Sequence, residues 1–125
     1  MKPKAEAELS FRISKDIDPR SSQKFSREDI VASVESVIPS TEIADSRFTS
    51  DSPSGFSVIA DNSNGGVLVL SSEEVKDFHN VDLLGMKVKL IVNGQIHDTG
   101  VVANVLGNPW DSLQMEFLRA LLDRI

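Results

Sequence analysis

The chain opens on a strict alternation of apolar and polar residues, which predicts a first strand over residues 4–14. One face of this strand would carry the apolar side chains of Ala5, Ala7, Leu9, Phe11 and Ile13. The opposite face would carry Glu6 and Glu8, which are two residues apart, so that both carboxylates point to the same side of the sheet. We therefore expect a strand with one buried face and one acidic face.

Helical spacing of the apolar residues recurs in two later segments. Ser26 with Asp29 three residues on is a variant of the capping box, and the apolar positions that follow predict a helix to about Val37, which Pro39 would end. A second helix is predicted from Pro109 to the last residues. Its apolar face is formed by Leu113, Phe117, Leu118, Leu121 and Leu122. We expect Trp110, Leu118 or Ile125 to be left exposed, where further strands of a larger fold would lie.

The remaining β-rich runs predict four further strands. Residues 41–48 form one, and the apolar run 67–70 forms a short buried one. Residues 86–92 and 95–105 flank Asn93-Gly94, a strong hairpin signal because both central residues of a type I′ turn need positive φ. The pattern predicts an α+β chain that is mostly β, and a length of 125 residues suits one domain.

Composition narrows the class of protein and its partners. The chain is 40% hydrophobic and 26% charged, and its net charge of -6 argues against nucleic acid or an anionic membrane as a partner. Because it has no cysteine, disulfides, thiolate catalysis and cysteine zinc sites are excluded. No apolar run approaches the roughly 20 residues of a membrane span. We therefore expect a cytoplasmic protein without a signal peptide.

The acidic residues are the first candidates for chemistry. Glu6 and Glu8 on one strand face could chelate a hard divalent cation through their oxygens, or could form a solvated face balanced by Lys4 and Arg12. Glu42 lies on a small and half apolar strand face, where a carboxylate is partly desolvated and needs a partner. That partner could be a cation, Arg47 or a backbone amide.

The other polar candidates give weaker signals. Asn62 and Asn64 with Gly65 form a polar loop that could hydrogen-bond a ligand or could simply be a turn. His79 is expected at the surface, and His97, just after the hairpin turn, is expected to have a cross-strand neighbour and no catalytic role. Neither histidine forms a triad with a serine. The glycines lack the spacing of a phosphate-binding loop, so no nucleotide site is predicted.

Five short motifs follow one another over nearly the whole chain. They are Glu-x-Glu in 5–11, a glutamate before Asp-Ser-Arg in 39–47, Ala-Asp-Asn in 60–66, Asn-Gly and Thr-Gly in 93–100, and Gly-Asn-Pro in 105–109. In this order they resemble the 2-keto-4-pentenoate hydratase branch of the fumarylacetoacetate hydrolase family. The resemblance implies a mixed β-sheet roll of the fumarylacetoacetate hydrolase C-terminal type with flanking helices. Residues 1–125 would form a single partial domain, a metal-binding core truncated at both ends.

The resemblance also implies a site and a reaction. Glu6, Glu8 and Glu42 would hold Mg²⁺ or Mn²⁺, and the loop with Asn62, Asn64 and Gly65 would bind a small 2-keto acid. The function implied is that of a fragment of a hydratase of aromatic catabolism, which adds water to short 2-hydroxy-2,4-dienoates to give 4-hydroxy-2-oxo acids. The full-length enzyme would be a homo-oligomer. No catalytic residue is assigned, because the family's lysine lies upstream and has no counterpart here.

Two alternatives remain open beside the hydratase. A 2-oxo-acid decarboxylase of the 4-oxalocrotonate type would use the same metal chemistry on a related substrate. A non-catalytic truncated remnant would keep the fold core as a binding or interaction module. The motifs also leave open the chain length of the substrate and the choice between Mg²⁺ and Mn²⁺.

Overall fold

The computed structural model describes residues 3–16, 25–49 and 53–122, with side chains described as far as residue 117. In chain order the elements are β1 (Lys4–Ile13), α1 (Arg27–Ser33), β2 (Val34–Ala44), α2 (Gly55–Ala60), β3 (Gly65–Leu70), β4 (Lys87–Val92), β5 (Gln95–Val101) and α3 (Pro109–Leu122). Short 3₁₀ turns cover Asn62–Asn64, Phe78–Asn80 and Val102–Asn104. The described residues thus form a mixed α and β structure with more strand than helix.

Strand β1 is confirmed, but its apolar face is buried only in part. Leu9, Phe11 and Ile13 are half-buried, whereas Ala5 and Ala7 are exposed. Alternation determines which side chains share a face of a strand, and it carries no information about what covers that face. The expectation of one buried face therefore holds from Leu9 onward only.

Helix α1 begins as predicted and ends earlier. The Ser26 hydroxyl accepts a hydrogen bond from the Asp29 amide, and the Asp29 carboxylate accepts one from the Ser26 amide, which completes the capping box. The helix then ends at Ser33, so the predicted extension to Val37 is wrong. The apolar residues after Ser33 are Val34, Val37 and Ile38, which are all β-branched and all buried. They lie on both faces of β2, so apolar spacing does not separate strand from helix here.

Pro39 lies inside β2 and does not stop a helix. Its carbonyl accepts a hydrogen bond from the Ser71 amide at 2.9 Å, and its ring nitrogen has no proton to donate. Strand β2 is the central strand of a three-stranded sheet with the order β1-β2-β3. It ends at Ala44, short of the residue 48 that the sequence predicted.

Strand β3 pairs antiparallel with β2 and is the exposed edge of this sheet. The register runs from Ser40 opposite Leu70 to Ile43 opposite Val67, and then shifts at a bulge. Gly66 is the extra residue, and a Cβ there would lie 2.5 Å from the Ile43 carbonyl oxygen, so glycine is required. Residues 67–70 are about half exposed on both faces, which corrects the prediction of a buried strand.

The second sheet is the predicted hairpin. Asn93 and Gly94 have φ of 51° and 78°, as a type I′ turn requires. Strand β5 ends at Val101 instead of residue 105, because a 3₁₀ turn follows. The pairing shifts near His97, which lies at a bulge and is exposed, and the register gives it no direct cross-strand partner.

The chain divides into two compact units, of which the second contains most of the apolar core. The first unit comprises the described parts of Met1–Ser10 and Ile38–Glu73, and the second those of Phe11–Val37 and Glu74–Ile125. The buried apolar residues of the second unit are Ile30, Val34, Val37, Phe78, Leu83, Val102 and Phe117. The assignment of residues 1–125 to a single partial domain stays a prediction.

Aromatic rings form the centre of the second unit around helix α3. The ring of Trp110 lies 5.0 Å from that of Phe11 and 5.7 Å from that of Phe78, between ring centroids. Trp110 is therefore half-buried, which leaves Leu118 or Ile125 as the residue expected to be exposed. Phe117 is buried as predicted. The side chains of Leu118, Leu121 and Leu122, and Ile125 as a whole, lie outside the described residues.

The helices of the structure are short. Among the described residues, none of them combines the length and the apolar character that crossing a membrane would require.

Candidate metal centre

Three glutamates converge in the first unit, on two neighbouring strands. Glu6 and Glu8 occupy alternate positions of β1, and Glu42 lies on β2 beside it. One carboxylate oxygen from each lies within 4.8 Å of the other two. The predicted convergence of the three side chains is confirmed, whereas their binding of a metal stays a prediction.

The cluster concentrates negative charge. Within 3–16, 25–49 and 53–122, no basic side chain forms an ion pair with any of the three carboxylates. Partial burial raises the pKa of Glu8 above its usual value, and the negative charges of Glu42 and Glu6 raise it further. A proton or a cation would relieve this repulsion.

The donor set fits a hard divalent cation. Carboxylate oxygens are the ligands that Mg²⁺ and Ca²⁺ prefer, and two oxygens bound to one Mg²⁺ can be no more than about 4.2 Å apart. One oxygen of each glutamate lies within 4.8 Å of the other two, which is close to that limit. A small rotation of the side chains would bring all three into range of one ion.

Arg47 forms its ion pair with Asp61. The alternative that Arg47 is the partner of Glu42 is therefore wrong. The Arg47 guanidinium donates to the Asp61 carboxylate at 2.6 Å, to the Asp61 carbonyl at 2.8 Å and to the Gly65 carbonyl at 2.6 Å. The backbone amide of Arg47 donates to the second Asp61 carboxylate oxygen at 3.1 Å. This hydrogen bond contributes most to lowering the pKa of Asp61, and the guanidinium lowers that pKa further.

The loop held by Arg47 has an unusual backbone. Asn62, Ser63 and Asn64 have φ of 52°, 55° and 64°, all in the left-handed region. Asparagine tolerates that region better than most residues, yet each such residue costs about 1–3 kcal/mol unless its surroundings enforce it. Three in succession mark a segment whose shape is imposed by its contacts.

The predicted substrate-binding residues are placed differently from one another. A Cβ on Gly65 would lie 3.3 Å from the Glu42 carboxylate and 3.1 Å from the Asn62 side-chain nitrogen, so Gly65 adjoins both groups. The Asn64 side-chain oxygen is buried, and among the described residues it has no hydrogen-bond partner. Gly65 and Asn62 thus lie beside the glutamate cluster, and the substrate role of all three residues stays a prediction.

The pairing of Arg47 with Asp61 was not predicted from the sequence. Both residues stand in motifs of the family resemblance, Asp-Ser-Arg and Ala-Asp-Asn, but no spacing rule joins positions that are 14 residues apart in different elements. The available signal was the presence of an aspartate in a short loop after an arginine at a strand end. That signal is too common to identify a pair.

A separate cleft of about 320 Å³ lies in the second unit. Its lining includes Phe78, His79 and Trp110, and His79 contacts the Phe78 ring with centroids 4.1 Å apart. None of the predicted metal-binding or substrate-binding residues lines this cleft. His79 is exposed, as the sequence predicted.

Several known proteins similar to this chain are dienoate hydratases. No protein-family model matches the chain. The 2-hydroxyhexa-2,4-dienoate hydratase of Comamonas testosteroni is 31% identical over 113 residues, which is 90% of this chain and 41% of that enzyme. The 2-hydroxypent-2,4-dienoate hydratase of Pseudomonas putida is 33% identical over 109 residues, 87% of this chain and 47% of that enzyme. The chain thus spans somewhat less than half the length of these relatives.

Solved structures agree with the sequence comparison. The 4-oxalocrotonate decarboxylase of Pseudomonas putida G7, complexed with magnesium and adipate, matches with a TM-score of 0.79 and 29% identity. The match covers 94% of this chain and 44% of the decarboxylase. The motifs, the similarity to hydratases over about nine-tenths of the chain and this structural match lead to one assignment: the chain belongs to the hydratase and decarboxylase branch of the fumarylacetoacetate hydrolase family.

Proposed function

We propose that Glu6, Glu8 and Glu42 bind one Mg²⁺ or Mn²⁺ ion, and that the chain is part of a hydratase that converts short 2-hydroxy-2,4-dienoates into 4-hydroxy-2-oxo acids. The observation that carries the proposal is the convergence of three carboxylates, from two strands, without a basic partner among the described residues. Oxygen donors of this kind select hard divalent cations. The similar decarboxylase structures are complexed with magnesium or calcium, which supports a divalent cation.

The proposed reaction belongs to a longer protein. The named hydratases are more than twice the length that this chain covers, so substrate, activity and homo-oligomeric assembly are proposals about that longer protein. The finer fold assignment, a mixed β roll of the fumarylacetoacetate hydrolase C-terminal type, belongs to the same proposal. It is supported by the TM-score of 0.79.

The residues of the first unit suggest a division of roles. A bound cation would supply Lewis acidity toward the oxygens of a 2-keto acid. The Asn62 side-chain nitrogen could donate a hydrogen bond to the substrate carboxylate, because it lies beside the glutamate cluster at Gly65. Gly65 leaves space next to Glu42 that a side chain would fill. Asn64 would shape the loop from inside.

A 2-oxo-acid decarboxylase is the second candidate, and one observation favours it. The solved structure reported above is a 4-oxalocrotonate decarboxylase, and it covers nearly the whole chain. Both reactions would use the same cation and the same three glutamates. Product analysis separates them, since decarboxylation releases carbon dioxide and hydration does not.

Cation binding by the 125-residue chain is the first test. We expect Mn²⁺, followed by electron paramagnetic resonance of the free ion, to bind at one site per chain. Glu42→Gln should weaken binding at least about tenfold, because a carboxylate ligand becomes a neutral amide. Glu35→Gln is the matched control, since Glu35 is an exposed glutamate of the same strand β2. Equal affinity in the two variants would refute the proposed site.

Turnover is the second test. We expect the 125-residue chain to consume little or no 2-hydroxypenta-2,4-dienoate with Mg²⁺ or Mn²⁺, because hydration also needs a positioned general acid or base. A longer form of the protein should consume the dienoate, and Glu42→Gln should abolish that activity. Cation binding without turnover in the longer form as well would refute the proposed hydratase and favour a non-catalytic binding module.

A further inference from the structure

We infer that Arg47 and Asp61 are positioning residues for the proposed cation site, because together they hold residues 62–65 against the Glu42 carboxylate. The inference rests on the proposed function and assigns a role to two residues that bind neither cation nor substrate. Arg47 contacts both ends of one loop. A single guanidinium binds the carbonyl of Asp61, where the loop starts, and the carbonyl of Gly65, where β3 starts.

The two partners of the ion pair differ in burial, since Asp61 is buried and Arg47 is exposed. The Asp61 side chain is 3% exposed, whereas that of Arg47 is 58% exposed. Asp61 accepts from both the guanidinium and the backbone amide of Arg47, so both carboxylate oxygens are used. Asp61 is therefore held in place by burial within the first unit, and the Arg47 guanidinium binds it from the solvent-exposed side.

This clamp enforces the left-handed backbone between its ends. The 3₁₀ turn contains three successive residues with positive φ, a conformation that a free segment of this sequence would leave. Further backbone bonds help, from the Asn64 amide to the Asp61 carbonyl and from the Asp45 amide to the Asn64 carbonyl. Arg47 contributes the charged side-chain contact that joins the turn to strand β3.

The position of the turn matters for the cluster through Gly65. A Cβ added to Gly65 would lie 3.3 Å from the Glu42 carboxylate oxygen and 3.1 Å from the Asn62 side-chain nitrogen. Gly65 and the Asn62 side chain therefore both lie next to the Glu42 carboxylate. If residues 62–65 move away, Glu42 loses its contact with Gly65 and Asn62. Its carboxylate can then rotate away from Glu6 and Glu8. Groups that orient metal ligands are typically worth about 10–100-fold in metal affinity.

The test is a Mn²⁺ titration of Arg47→Met in the 125-residue chain, measured where its circular dichroism matches the wild type. We expect affinity to fall roughly tenfold. Arg47→Lys should lie between, because an ammonium cannot reproduce the planar fork that bridges Asp61 and Gly65. Arg27→Met is the matched control, since Arg27 forms an exposed ion pair with Asp111 in the second unit. That control should keep wild-type affinity.

Rescue distinguishes positioning from a general loss of stability. Ser63 has φ 55°, a value that glycine adopts without strain, so Ser63→Gly in the Arg47→Met background should recover part of the lost affinity. The same double variant serves if Arg47→Met alone does not fold. A folded Arg47→Met, Arg47→Lys or double variant with the affinity of Arg27→Met would overturn the inference and leave the cation site intact. A wild-type chain that binds no Mn²⁺ would remove the proposed function, and the inference with it.

Discussion

The two units of the chain differ in what they bury. Among the described residues of the first unit, the buried side chains are those of Ile38, Ser40 and Asp61, and the four apolar residues of β3 are exposed. The second unit buries seven large apolar side chains and a group of aromatic rings. The candidate chemistry therefore lies where polar contacts determine the structure, and the apolar core lies elsewhere.

This contrast follows from the chemistry of a carboxylate cluster. Three glutamates that are to bind a cation must keep access to solvent and must resist mutual repulsion, which an apolar core does not help. The first unit uses directional contacts instead: the Arg47–Asp61 pair, the Ser10–Ser40 hydroxyl bond at 2.8 Å and the glycine bulge. Substitutions in the two units should consequently act by different mechanisms and with different magnitudes.

The largest effect is expected in the second unit. Phe78 is 3% exposed and stacks beside Trp110, so Phe78→Ala leaves a cavity and should cost about 3–5 kcal/mol in free energy of unfolding. For a small domain this is a large share of the total stability. Urea unfolding followed by circular dichroism measures it. Met115→Ala, at an exposed position of α3, should change the unfolding free energy by less than about 0.5 kcal/mol.

A Phe78→Ala variant as stable as Met115→Ala would contradict the contrast between the units. It would mean that the aromatic group contributes packing that the rest of the chain can replace. The prediction thus tests whether the second unit is the stabilising part of the described chain.

An intermediate effect is expected from a glycine in each unit. Gly66→Ala in the first unit places a Cβ 2.5 Å from the Ile43 carbonyl oxygen, and should destabilise by about 1–3 kcal/mol because backbone must move. Gly100→Ala in β5 of the second unit meets no atom within 4 Å and should stabilise slightly, by about 0.4–1 kcal/mol. Thermal unfolding of the two variants gives the comparison. Equal effects would show that the bulge can relax around a methyl group.

The sequence predicted the elements better than their boundaries, and the second unit shows why. The Asn93-Gly94 hairpin and the helix from Pro109 were predictable because a turn type and a first-turn proline are local signals. The end of α1 was not, because the apolar residues after Ser33 are buried on both faces of a strand and have no period that excludes a helix. The core position of Phe78 was not predicted, because its neighbours Asp77, His79 and Asn80 are polar and give no apolar period.

In the candidate site, the sequence predicted the proposed ligands but not the residues that hold the neighbouring loop. Strand periodicity placed Glu6 and Glu8 on one face, and the family resemblance joined Glu42 to them. The pairing of Arg47 with Asp61 depends on a loop geometry with three positive φ values, which no composition rule encodes. Ligand residues are therefore easier to predict than the residues that position them, because positioning depends on contacts that only the folded chain creates.

The smallest effects are expected from two glutamates with opposite pKa shifts, Glu8 in the first unit and Glu74 in the second. Glu74 accepts hydrogen bonds from Arg12 at 2.5 Å and from Ser36 at 2.8 Å, and these partners lower its pKa, Arg12 most. Its stabilising contribution is present above the pKa of an unfolded glutamate and is lost as the pH falls through the lowered folded value. Glu74→Gln should therefore lower the melting temperature at pH 7 and have less effect in acid.

Glu8 should behave in the opposite way when no cation is bound. Because its pKa is raised, first by burial and then by Glu42 and Glu6, its favourable contribution is present below the unfolded pKa and is lost as the pH rises through the raised folded value. Glu8→Gln should therefore raise the melting temperature at pH 7 in EDTA, since it removes one charge from the cluster, and the gain should shrink on acidification. Added Mn²⁺ should reverse the order, stabilising the wild type more than Glu8→Gln, because a cation that binds only the folded chain stabilises it in proportion to its affinity. The measurement is a set of melting curves of the wild type and of Glu8→Gln at pH 4 and at pH 7, each with EDTA and with Mn²⁺. A Glu8→Gln variant that is less stable than the wild type in EDTA at pH 7 would show that the cluster is held by contacts stronger than its own repulsion.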